Sequence, residues 1–168
     1  MPNTIIRQVI SFILLVLLQV LVLNNIHLFG IITPFLYIIF IINLPYNISR
    51  HWSLLIAFLL GLVIDVFTNT LGVHILATVF VAYLRVPLLK IITRKSDEEI
   101  TQLSPSIYSM EFSLFLTYVS ILVFSHIFLL LFVDVISLHC FGNFILKVLF
   151  DSLFTIVLIL CLELVKKH

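Results

Sequence analysis

Residues 58–77 read FLLGLVIDVFTNTLGVHILA, two apolar runs joined by the short turn Thr68-Asn69-Thr70-Leu71-Gly72. So compact a turn makes the flanking helices antiparallel neighbours. In the first run Ala57, Gly61 and Asp65 recur every four residues and share one helix face. Small side chains at that spacing let a second helix approach closely. Asp65 stands one turn beyond Gly61, in the outer third of the run. A charge nearer the middle of a membrane costs about 2.5–3.5 kcal/mol and marks a function or a polar fastening. The fastening is the simpler reading, with Asp65 locking the hairpin; a proton or ion relay is the other.

The second run carries His74, Thr78, Ala82 and Arg85 on one narrow stripe. Thr70 is expected to cap its start, His74 to bond Asp65 across the turn, and Arg85 to reach out to the interface. Gly72 belongs to the tight turn.

The rest of the chain has the same character. It has 168 residues, 62% of them hydrophobic and 10% charged, with a mean hydropathy of +1.31. Soluble domains carry roughly a quarter charged residues, so this composition implies an integral membrane protein. The net charge of +1 says nothing about partners, and the basic stretches are too thin for a nucleic-acid surface. Cys140 and Cys161 are expected to be plain thiols, since a helix over 144–165 would hold them too far apart for a disulfide. The N-terminus resembles a signal peptide but lacks a small-residue cleavage pattern, and is read as an uncleaved span.

Six spans are expected in a single domain, 1–168, as helices over about 5–23, 34–49, 52–67, 73–92, 105–133 and 144–165. The second is weak. Thr33-Pro34 opens it, Pro45 interrupts it, and its length makes it short, tilted or buried against its neighbours. Pro87 kinks the fourth without ending it, and Ser104-Pro105 is expected to start the fifth. Lys and Arg fall near Arg7, Arg50, Arg85–Lys95 and the C-terminus, while loops 24–33, 68–72 and 134–143 have none. That alternation predicts both termini in the cytoplasm.

Further polar groups line the spans. Lys147, Asp151 and Thr155 follow steps of four, and a buried Asp65–Lys147–Asp151 cluster joining the third and sixth helices is the expectation. Lys147 reaching the headgroups is the simpler alternative. Ser109, Ser113, Thr117 and Ser120 form a hydroxyl stripe expected to pack against a helix, and His126 is assigned no role. Zinc, P-loop, nucleophile-elbow and dinucleotide motifs are missing from the sequence. No catalytic residue, metal or cofactor is therefore expected.

GLVIDVF at 61–67, LGVH at 71–74, Ala77 and AYL at 82–84, with PFL at 34–36 and NLP at 43–45, together resemble the MreD family of bacterial rod-shape-determining membrane proteins. The resemblance implies a non-enzymatic inner-membrane scaffold of the wall-elongation machinery, or elongasome. It would bind a single-span MreC-like partner and link MreB filaments to RodA and its transpeptidase, in contact with membrane lipids. It also implies a six-transmembrane-helix all-α bundle similar in arrangement to the substrate-binding subunits of energy-coupling-factor transporters, which supplies a fold and not a function. Docking is expected on the Ala57/Gly61 face, with Asp65, Gly72 and His74, or on the hydroxyl stripe. The alternative function is a vitamin-binding transporter subunit, with a polar cavity around Asp65, His74 and Lys147.

Overall fold

The structure, a computed structural model, describes residues 2–25, 32–94, 105–138 and 144–165. Its helices are α1 (Pro2–Leu21), α2 (Ile38–Ile42), α3 (Arg50–Thr68), α4 (Val73–Thr93), α5 (Phe112–Leu138) and α6 (Phe144–Val165). The architecture is an all-α membrane bundle. Five stretches are long and apolar enough to cross a bilayer: Ile6–Asn25, Arg50–Thr68, Val73–Thr93, Phe112–Val133 and Phe144–Val165. At ~1.5 Å per residue each reaches about 28–33 Å, matching a hydrocarbon core of about 30 Å.

The helices bury stripes set by their periodicity. On α5 the buried positions Phe115, Tyr118, Val119, Leu122, Val123, His126, Ile127 and Leu130 advance by alternating steps of three and one, one side of a 3.6-residue helix. On α6 the buried stripe is mainly polar: Val148, Asp151, Ser152, Thr155, Ile159 and Glu163. Its exposed residues are mainly large hydrophobics, such as Leu149 and Leu153. Packing runs from α3 to α4, α4 to α5 and α5 to α6. Helix α1 stands apart, with Val16 and Gln19 its buried residues.

The expected second span is the main departure. Instead of a helix over 34–49, residues 33–45 form a strap whose only α-helix is the single turn and a half of α2. It is sealed in the bundle: Tyr37, Ile38, Ile41 and Ile42 are fully buried. Two prolines explain its shape. Pro34 fixes one end of the segment, and Pro45 pushes Leu44 out of helical conformation. The strap nevertheless crosses the bundle. Thr33 is bonded to Asp151 and Asn43 to Glu163; these two α6 residues are twelve apart, about 18 Å along a helix. With this sixth crossing, Arg7 near the start of α1 and Val165 at the end of α6 line one cavity, at the same end of the bundle.

The start of α5 also differs. Helix α5 starts at Phe112, not at Pro105, because Ser106–Ser109 closes a hydrogen-bonded turn first; Ser104 lies outside the described residues. Helix α4 does run through Pro87 to Thr93.

Candidate functional site

The hairpin of the opening stretch closes on Asp65. Helix α3 ends at Asn69, which is left-handed (φ 56°) and whose N–H reaches the Asp65 carbonyl. Gly72, at φ 81°, reverses the chain into α4, a conformation costing an ordinary residue roughly 1–2 kcal/mol. The Asp65 carboxylate then caps the new helix from the old one. Its Oδ1 accepts the His74 N–H at 3.1 Å, and Oδ2 the Ile75 N–H at 2.9 Å. These are first-turn amides without intrahelical acceptors, and a carboxylate suits the positive helix start. Thr70, expected as the cap, instead donates its hydroxyl to Asp65 and aims it.

Below the cap the helices almost touch. A Cβ on Gly61 would lie 2.5 Å from Thr78 Oγ1 and 2.6 Å from Ile75 Cα, and Thr78 donates to the Ala57 carbonyl at 2.9 Å. The Ala57/Gly61 face is therefore occupied by α4 and offers no surface to another protein, which corrects the first docking expectation.

His74 bonds Asp65 through its backbone, while its ring points elsewhere. Tyr37 Oη, on the strap, lies 2.7 Å from His74 Nδ1 and 2.9 Å from His126 Nε2. A hydroxyl has one proton and two lone pairs, so Tyr37 can donate to one imidazole while accepting from the other. His126 thus gains a role that the sequence did not suggest.

Further intramembrane polar groups converge on the same strap. Asp151 Oδ1 accepts the Thr33 N–H at 3.0 Å, Thr155 Oγ1 the Phe35 N–H at 3.2 Å, and Gln19 Oε1 the Leu36 N–H at 2.9 Å. Gln19 also donates to the Pro34 carbonyl. At the other end the Arg85 guanidinium donates to the carbonyls of Ile41, Leu44 and Pro45 at 3.2, 2.6 and 3.1 Å. Asn43 donates to Glu163 at 3.2 Å. Irregular backbone at membrane depth must be buried and satisfied inside the protein, and these side chains do it. Arg85 is only 2% exposed and does not extend to the interface; the three strap carbonyls it bonds hold it inside.

The expected Asp65–Lys147–Asp151 cluster does not form. Asp65 serves the start of α4 and Asp151 the start of the strap. Half-buried Lys147 lies one turn from Asp151 on α6, but among the described residues it makes no ion pair with either aspartate. Ser113 and Thr117 are exposed and Ser120 half-buried; Ser109 lies before α5. This stripe faces outward and bonds to its own helix, Thr117 Oγ1 donating to the Ser113 carbonyl at 2.8 Å. Cys161 is an exposed free thiol, and Cys140 lies outside the described residues.

Sequence had flagged Asp65, Gly61, Gly72, Arg85 and Asp151 as unusual in apolar surroundings. It missed Tyr37, His126, Gln19, Asn43 and Glu163. Gln19 and Glu163 were visible as polar residues in apolar runs, but their partner was not, because the strap was read as a helix satisfying itself. A cavity of about 700 Å³ opens at the end carrying the termini, away from Asp65 and His74. Those two residues are buried and bonded, so they do not line the polar cavity expected of a vitamin-binding subunit. Among the described residues no group of three or more His, Cys, Asp or Glu is placed to hold a metal ion. Compared with protein-family models, curated proteins and solved structures, the chain matches none.

Proposed function

We propose that this chain is a non-enzymatic scaffold of the bacterial wall-elongation machinery in the inner membrane. It would bind a single-span MreC-like protein and connect MreB filaments with RodA and its transpeptidase. The motif run at 61–84, with NLP at 43–45, carries the reading. The geometry of those same residues supports it: Gly61, Asp65, Gly72 and His74 build a rigid hairpin, and Asn43 to Pro45 form the clasped end of the strap. A scaffold needs such a fixed shape more than a reactive centre. Docking then falls to the outward stripe Ser113–Thr117–Ser120 on α5, where hydroxyls offer hydrogen bonds to a partner helix. In this reading the end of the bundle with the start of α1 and the end of α6 faces the cytoplasm, in keeping with its basic residues.

Depleting the protein from a rod-shaped host should give rounded cells, and affinity purification from its membranes should recover an MreC-like protein. Unchanged shape and wall growth would overturn the proposal. Thr117→Leu with Ser113→Leu should reduce partner recovery several-fold while leaving the melting temperature within a few degrees, since surface changes usually cost under about 0.5 kcal/mol.

A further inference from the structure

The cavity of about 700 Å³ has a composition that the scaffold reading leaves unexplained. Its volume lies in the range of ligand sites, roughly 300–1,000 Å³. It is lined by the first half of α1, the last turn of α6, the strap and residues 105–109. Charges of opposite sign line it: Arg7, exposed on α1, and Glu163, buried on α6 and fixed by Asn43. Arg7 has no bonding partner among the described residues. Two turns further along α1 the lining becomes apolar, with Leu14 and Leu15 joined by Phe40 and Leu162. A polar mouth of both signs above an apolar wall is complementary to a zwitterionic amphiphile.

We infer that this cleft binds one phospholipid with an amine headgroup. Arg7 takes the phosphate, the Glu163 carboxylate attracts the ammonium, and an acyl chain lies along Leu15, Phe40 and Leu162. A headgroup without positive charge lacks the Glu163 attraction, and a quaternary one cannot donate hydrogen bonds to the acceptors in the mouth. The same headgroup chemistry occurs in free glycerophosphoethanolamine; the apolar wall selects the lipid.

Native mass spectrometry of the delipidated full-length protein tests the inference, using dioleoyl lipids with ethanolamine, choline or glycerol headgroups, and glycerophosphoethanolamine alone. A single ethanolamine-lipid adduct should form, about fivefold or more tighter than with either other lipid, the least expected of one hydrogen bond to a charged group. Arg7→Gln should weaken all three lipids, whereas Glu163→Gln should remove the ethanolamine preference and leave glycerol-lipid binding unchanged or stronger. Leu15→Trp should block every lipid. Equal binding of the three lipids, a glycerol-lipid preference, or water-soluble headgroup binding as tightly as the lipid would overturn it. Should Glu163→Gln lower the folded fraction, Arg7→Gln at its exposed position decides alone, and undiminished lipid binding to it would be fatal.

Discussion

At the scale of single residues the hairpin is governed by space and by two backbone amides. Gly61→Ala puts a methyl group against the backbone of Ile75, which cannot swing aside as a side-chain tip can. The substitution should cost about 1–3 kcal/mol, lowering the melting temperature of the detergent-solubilised protein by several degrees. Asp65→Ala strips the acceptors from the His74 and Ile75 amides and should cost about 1–3 kcal/mol. Asp65→Asn, which keeps one acceptor oxygen, should lose less in the same melt, and equal losses would contradict the cap. Tyr37→Phe leaves two imidazole nitrogens without their shared partner. Its cost, again about 1–3 kcal/mol, should exceed that of Tyr83→Phe at the exposed edge of α4.

Among the elements the strap is the unusual one. Helices satisfy their own backbone, so α3 to α6 need from their neighbours only apolar packing and a cap. The strap needs Gln19, Arg85, Asp151, Thr155 and Glu163 because two prolines deny it a full helix. Arg85→Leu should therefore act locally. Amide hydrogen exchange should rise across residues 36–45 while α5 amides stay protected, since local opening follows the bonds that hold a segment. Uniform loss of protection would mean that Arg85 holds the whole bundle together.

For the whole molecule, counting crossings decides the topology. Five spanning helices alone would put the chain ends on opposite faces, yet Arg7 and Val165 line one cavity, because the strap supplies the sixth crossing. In the proposed orientation, Leu71→Cys at the hairpin tip should react with an impermeant maleimide added outside spheroplasts. Tyr108→Cys should react only after permeabilisation, both in a background lacking the native cysteines. The inverted pattern would reverse the orientation.

The apolar membrane-length helices, three of them to within about two residues, and the Gly61–Asp65–Gly72 hairpin were legible in the sequence. Each depends on local information: an apolar run, a period of four, or a turn a few residues long. Sequence also showed that residues 33–45 were awkward, through Pro34, Pro45 and insufficient length. What it did not contain was the way five distant side chains share that strap between them. Bonds such as Thr33 to Asp151 or Phe35 to Thr155 join residues more than a hundred positions apart, and no periodicity records them. The same limit misplaces Arg85: an expectation of an interfacial charge cannot include the strap carbonyls that hold it inside. Only the folded bundle decided what those polar groups were for, because a polar atom inside a membrane protein takes its meaning from the one partner that can satisfy it.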